Sequence, residues 1–343
     1  MFIKGMDLSF VDEVEAAGGA YFEGDIRRDP IDLMADLGMN SVRLRIWNDP
    51  PGGFCNLERT LAMARRIKER GLHFLLDFHY SDRWADPSNQ WKPRAWEGLD
   101  AAGLREAVRR YTADVLSALA MQGTAPDMVQ IGNEVTPGML WPDGRVDGKH
   151  DTDEQWCTFA GLLQAGASAV RAVCPDARVM IHIDRGGDWE ATQKFFGRME
   201  QLGVDYDVIG QSFYMWWHGE LDDLRRNLAL TAETFGKPIV VVETAWPWTL
   251  KKYDDSGLVL EREDQLVSGY PADVGGQSAY LRDLIHIVRE TPRGLGAGFY
   301  WWEPAWIPTK AMWSVGHHNN WANLTLFDYE GRRLATWDVL GEE

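Results

Sequence analysis

Eight short apolar runs recur along the chain, each separated from the next by a longer segment of helical character, and this alternation limits the fold more than any other feature. The runs are FIKGMD near the start, NSVRLRIW at 40–47, HFLLDFHY at 73–80, DMVQIG at 127–132, RVMIHI at 178–183, YDVIGQSFY at 206–214, PIVVVET at 238–244 and GAGFYWW at 296–302. Segments such as LERTLAMARRIKERG and FAGLLQAGASAVRAV carry apolar residues at i, i+3, i+4 and i+7, the pattern of a helix with one buried face. Gly71 and Gly123 fall just past two of these segments, where a left-handed cap favours glycine. Eight strand-helix units without runs of consecutive hairpins predict an α/β fold, a (β/α)8 TIM barrel. The first strand lacks the G-x-G-x-x-G of an open dinucleotide-binding sheet. At 343 residues the chain fits one such barrel, so residues 1–343 are read as a single domain.

Composition narrows the partners. Thirty-five lysines and arginines against 52 acidic residues give a net charge of −17, which opposes binding to nucleic acid or anionic lipid. A neutral partner is expected. The three cysteines, Cys55, Cys157 and Cys174, lack C-x-x-C spacing and read as free thiols. MFIKGMDLSF carries no recognisable secretory signal and no run suggests a membrane span, so the expectation is a cytoplasmic monomer, or a secreted one if a leader precedes this sequence.

In a barrel of this kind the active site gathers where the strands end. Glu134, after the fourth run in IGNEVTPGMLWP, and Glu243, ending the seventh in KPIVVVETAWPW, stand at such ends. Either one alone could be a surface charge. The mouths of strands four and seven face each other across the axis, close enough for the roughly 5 Å carboxyl separation of a retaining glycosidase. Hydrolysis of a glycosidic bond requires such a pair, one acid to protonate the leaving oxygen and one carboxylate at the anomeric carbon. Two long connections, 81–99 and 246–275, would wall a cleft at this mouth.

Other residues invite alternatives. Asp77 with His79, and His182 with Asp184, place two potential metal ligands on one strand face. That pattern suits a metal-dependent barrel hydrolase, but GMDLS in the first strand lacks paired histidines and the two glutamates would go unused. His79 and His182 are therefore read as groups that hydrogen-bond the substrate or the residues behind it. A noncatalytic carbohydrate-binding barrel would keep aromatic platforms without needing both glutamates.

The motifs KGMDLSF, GMNSVRLRIWNDP, LLDFHYSDRWADPSNQ, PDMVQIGNEVTPGMLWP, YDVIGQSFYMWWHG, KPIVVVETAWPWTL and GFYWWEPAWIP resemble those of glycoside hydrolase family 53, the endo-β-1,4-galactanases, from residue 4 to about 328. The resemblance implies retaining hydrolysis of β-1,4-galactan or arabinogalactan I, with Glu134 as acid/base, Glu243 as nucleophile and Asn133 at the sugar 2-hydroxyl. It further implies that Arg45 orients the nucleophile, although a buried ion pair with another acid is the plain alternative. Tyr214 would hydrogen-bond the nucleophile and Trp302 would floor the reacting sugar. Trp84, Trp91, Trp246 and Trp248 are candidates for flanking sugar sites or for core packing. Secreted bacterial relatives often carry a calcium loop after the seventh strand; DDSGLVLERED lacks that ligand series, so neither metal nor cofactor is expected. An enzyme trimming short galacto-oligosaccharides is the alternative within the same chemistry.

Overall fold

A computed structural model describes residues 1–267, 269–309, 316 and 318–342. The expected strands form, each with ends within two residues of its sequence boundaries. They are β1 (Ile3–Asp7), β2 (Ser41–Ile46), β3 (His73–Phe78), β4 (Met128–Ile131), β5 (Arg178–Ile183), β6 (Val208–Ser212), β7 (Ile239–Thr244) and β8 (Gly296–Trp301). The order β1-β8-β7-β6-β5-β4-β3-β2 closes on itself, with parallel pairing throughout. Helices α1 (Pro30–Asp36), α2 (Leu57–Glu69), α3 (Ala101–Met121), α4 (Asp153–Val173), α5 (Trp189–Gln201), α6 (Leu221–Phe235) and α7 (Val274–Arg289) lie between successive strands. After β8 a 3-10 helix, Ala335–Gly341, packs on α7, and Thr336 Oγ1 donates to Gln277 Oε1 at 2.7 Å.

Local chemistry sets these boundaries. Asn56, Asp100, Asp188 and Asp273 each accept from a backbone N–H three residues on, capping α2, α3, α5 and α7. Gly71 and Gly123 take φ of 67° and 78° just past α2 and α3, as their spacing predicts. Inside the barrel, Ile3, Leu75, Met128, Met180, Val208, Val240, Val242 and Tyr300 fill one end as an apolar plug. A Cβ on Gly5 would sit 2.3 Å from the Tyr300 ring, so glycine makes room for that ring.

Two features lie outside the sequence pattern. Short hairpins pair Tyr21–Glu23 with Ile26–Arg28, and Gly138–Met139 with Gly144–Arg145; strands of two or three residues are too brief to show a period. The second is a bulge in β7. Gln211 pairs with Val241 but Ser212 pairs with Glu243, and on the other side Val241 pairs with Phe299 but Thr244 with Trp301. Val240 and Val242 both point into the barrel, so strict alternation would turn Glu243 outward. The extra residue re-aims Glu243 toward the axis.

Candidate active site

The strands converge on a cleft of about 490 Å³ at their C-terminal ends, and both glutamates line it. Glu134 follows β4 through Gly132 and adopts φ 46°, a conformation that costs a non-glycine residue about 1–2 kcal/mol and marks a position held by its surroundings. One oxygen of Glu134, one oxygen of Glu243 and one ring nitrogen of His182 lie within 4.8 Å of one another. These three could be drawn as metal ligands. Arg43 and Tyr214, however, hold both oxygens of Glu243, and a guanidinium competes directly with a cation there.

Arg43 organises the surroundings of Glu243. Almost wholly buried, it donates from Nη1 to Glu243 Oε1 at 2.8 Å and to Asp7 Oδ2 at 2.9 Å, and from Nη2 to Asp77 Oδ2 at 2.9 Å and Asn133 Oδ1 at 2.7 Å. Burial works against its charge, but Asp77, Glu243 and Asp7 outweigh that and raise its pKa above the ordinary arginine value. The Tyr214 hydroxyl donates to the other oxygen of Glu243 at 3.0 Å. Burial pushes the Glu243 carboxyl up to about 7, with Arg43 pulling it down against the repulsion of Asp7 and Asp77. Among the described residues no lysine or arginine bonds to Glu134; its Oε1 accepts from Ser212 at 2.6 Å, and burial together with the charges of Glu243 and Asp184 raises its pKa well above the usual carboxyl range. Arg43 thus favours the charged form of Glu243, while burial and two neighbouring carboxylates favour the neutral form of Glu134.

The arginine that touches Glu243 is Arg43, not Arg45. Arg45 instead pairs with buried Glu303 at 2.5 Å, with its guanidinium carbon 4.3 Å from the ring centres of both Phe10 and Trp84. Both arginines face the same side of β2, but the one deeper in the strand reaches the network of Asp7 and Asp77, while Arg45 holds the cleft wall through Trp84.

His79 lines the cleft with its ring nitrogens already engaged: Nδ1 accepts from Trp47 and from the Ala85 N–H at 2.9 Å, and Nε2 lies 3.1 Å from Asp77. It anchors the start of the 81–99 loop. His182 is fully buried behind Ser212, with 2.7 Å between its Nε2 and the serine hydroxyl. Asn133 lines the cleft beside Glu134, with Nδ2 bonded to Ala85 O at 2.8 Å.

The tryptophans divide. Trp302 and Trp84 line the cleft, with ring centres 5.7 Å apart. Trp246 does not: it is fully buried and stacks on Tyr280 at 5.4 Å, a core residue. Trp248 packs on Tyr329 and stays outside the cleft lining, and Trp91, 47% exposed, leans on Trp141 at the rim away from it. The sequence reading missed Trp217, Trp306 and Trp321, which line the cleft from the loops after β6 and β8. The double tryptophan in SFYMWWHG was the available signal for Trp217, which is 60% exposed. Trp217→Ala should lower kcat/KM on a polysaccharide about tenfold with an unchanged melting temperature, from the loss of one aromatic contact. Trp246→Ala should instead cost roughly 3–5 kcal/mol of stability. Steady-state kinetics and thermal melts on the two variants check both.

Two buried carboxyl groups within reach of one pyranose, one bound to a guanidinium and the other to a hydroxyl, at the strand-end mouth of a (β/α)8 barrel, define a glycoside hydrolase. The comparisons with known proteins agree. The model of glycosyl hydrolase family 53 matches residues 3–340, and the chain belongs to that family. It is 60% identical over 99% of its length, and 93% of the relative's, to a Niallia circulans protein described as uncharacterised. It is 37% identical to the arabinogalactan endo-β-1,4-galactanase of Cellvibrio japonicus, covering 95% of this chain and 86% of that one. A solved family 53 catalytic domain from Ignisphaera aggregans superposes with a TM-score of 0.93 at 39% identity, covering 99% of this chain and 95% of that domain. Among the described residues no helix is long and apolar enough to cross a membrane.

Proposed function

We propose that this enzyme is an endo-β-1,4-galactanase, cleaving internal bonds of galactan or arabinogalactan I by double displacement, as one catalytic domain working as a monomer. The observation that carries the mechanism is the unequal setting of the two carboxyls, with Arg43 and Tyr214 on Glu243 and the Ser212 hydroxyl on Glu134. Glu243 attacks C1 of the sugar while Glu134 gives its proton to the departing glycosidic oxygen. A water then attacks the glycosyl-enzyme, losing its proton to Glu134 and freeing Glu243. Once Glu243 is esterified its charge is gone, so the Glu134 pKa falls at the moment a base is needed. Asn133, held by Arg43 and Ala85, meets the 2-hydroxyl. The substrate class follows the name of the Cellvibrio relative.

The test is the product distribution over time from β-1,4-galactan, with anomers followed by NMR. A spread of oligomers from the first minutes, released as the β-anomer, is expected. Galactose or a single short product from the outset would favour trimming of oligosaccharides, and initial α-anomer would exclude double displacement. A parallel panel of mannan, cellulose and xylan checks the sugar.

A further inference from the structure

The two oxygens of Glu134 have different surroundings, and the difference extends two residues behind the cleft. We propose that Ser212 and His182 are positioning residues that decide which oxygen of Glu134 carries the catalytic proton; this deepens the acid/base assignment above and rests on it. Ser212 ends β6 and His182 lies in β5, and neither has exposed surface. The serine Oγ stands 2.6 Å from Glu134 Oε1 and 2.7 Å from His182 Nε2. A hydroxyl has one proton, so the direction of this chain depends on the histidine tautomer.

The far side of the ring fixes that tautomer. Nδ1 meets the backbone N–H of Glu134 at 3.4 Å, a donor that cannot be reversed, while Gln130 Nε2, 3.1 Å away, shares its two hydrogens among Asp77, Gly132 O, Asn133 Oδ1 and this ring. Gln130 cannot turn its amide over, because Nε2 donates to Asp77 at 2.6 Å and Oε1 accepts from Arg43 at 3.3 Å. One acceptor competes: Asn133 Oδ1, 3.0 Å from Nδ1, which already accepts from Arg43 and Gln130. Nδ1 is then the accepting nitrogen, Nε2 keeps its hydrogen and gives it to Ser212 Oγ, and the serine proton points at Glu134 Oε1. The carbonyl oxygen of a carboxylic acid is the stronger acceptor, so the oxygen that takes this bond is the poorer place for the acid proton. That proton sits on Oε2, toward the leaving oxygen, and the same serine bond steadies the carboxylate when Glu134 acts as base.

The charged groups around the chain are compatible with it. Glu134 is faced by Glu243, Asp184 and Asp86, and His182 by Arg43, His79 and His218. Burial and the neighbouring Arg43 hold His182 well below the ordinary histidine pKa, so the ring stays neutral.

Three measurements test this, with β-1,4-galactan and an aryl β-galactoside of good leaving group as substrates. In the unaltered protein, nitrogen-15 NMR of His182 should show a bare Nδ1 and a protonated Nε2; a protonated Nδ1 overturns the proposal whatever the substrate proves to be. Ser212→Ala should lose about 10–100-fold in kcat/KM on galactan but far less on the aryl substrate, the signature of impaired acid catalysis. Its alkaline limb should move up, because a donor to the charged carboxylate is gone. His182→Gln, whose amide can still donate to the serine, should keep the limb in place, and His182→Leu should move it as Ser212→Ala does. Equal losses on both substrates with an unmoved limb would make the pair merely structural. Wild-type enzyme that leaves galactan intact but cleaves another β-glycan would displace the proposed substrate, not this chain.

Discussion

Glu243→Ala is expected to lower kcat on the polysaccharide by on the order of 10⁴-fold in a protein that remains folded. The loss follows from geometry: Arg43 and Tyr214 each hold one oxygen of Glu243, and a Glu243 oxygen lies within 4.8 Å of one of Glu134 in the cleft that both line. Alanine leaves space beneath the sugar, so added azide or formate should restore part of the turnover and give a product of inverted anomeric configuration. Product analysis by NMR decides the matter. Near-normal activity in this variant, or rescue with retention, would remove Glu243 from the nucleophile's role.

The second large effect belongs to Arg43. Arg43→Met keeps much of the volume but leaves Asp7, Asp77 and Glu243 buried without the cation they share. Removing one member of a buried ion cluster typically costs 3–5 kcal/mol, so a fall in melting temperature of roughly 5–15 °C is expected. The sign of the pH effect follows from the same contacts. Arg43 favours the charged form of Glu243, whose carboxyl already stands at about 7, so without it that pKa rises further. The acid limb of kcat/KM should move to higher pH, with residual activity largest above neutrality. Arg45→Met, acting on Glu303 and the aromatic wall, should leave the acid limb in place. A reversed pattern, with Arg45 moving the limb, would contradict the contacts described for the two side chains.

That contrast shows how far a sequence carries the site. Strand number, order and closure were legible because each strand is buried on both faces and reads as a short continuous apolar run. The two glutamates were legible because strand ends in a barrel meet at one rim. Tyr214 was placed correctly against Glu243 on family resemblance. The choice between Arg43 and Arg45 was not legible, since residues two apart share a face and only strand stagger decides which carboxylates each one reaches. The same limit applies to β7, where a single extra residue reverses the direction in which Glu243 points. Trp246 stayed open between the cleft and the core for a related reason: past the last ladder bond no period fixes direction, and this ring turns inward onto Tyr280. Ser212 carried no signal of its own, because a serine at a strand end is common and its importance comes from a carboxylate 78 positions earlier.

Closure of the barrel also bears on how the protein is made. β1 pairs with β8, Ile3 against Gly298, so during synthesis the barrel's first strand waits for its eighth before its second edge is covered. At 5–20 residues per second that interval lasts on the order of 15–60 s. Asp7 ends the first strand and Glu243 lies in the seventh, so a nascent barrel lacks its full carboxyl set until seven strands have been synthesised. During that wait an open strand edge is exposed to neighbouring chains, which makes this stage of synthesis the one where a chaperone has most to protect.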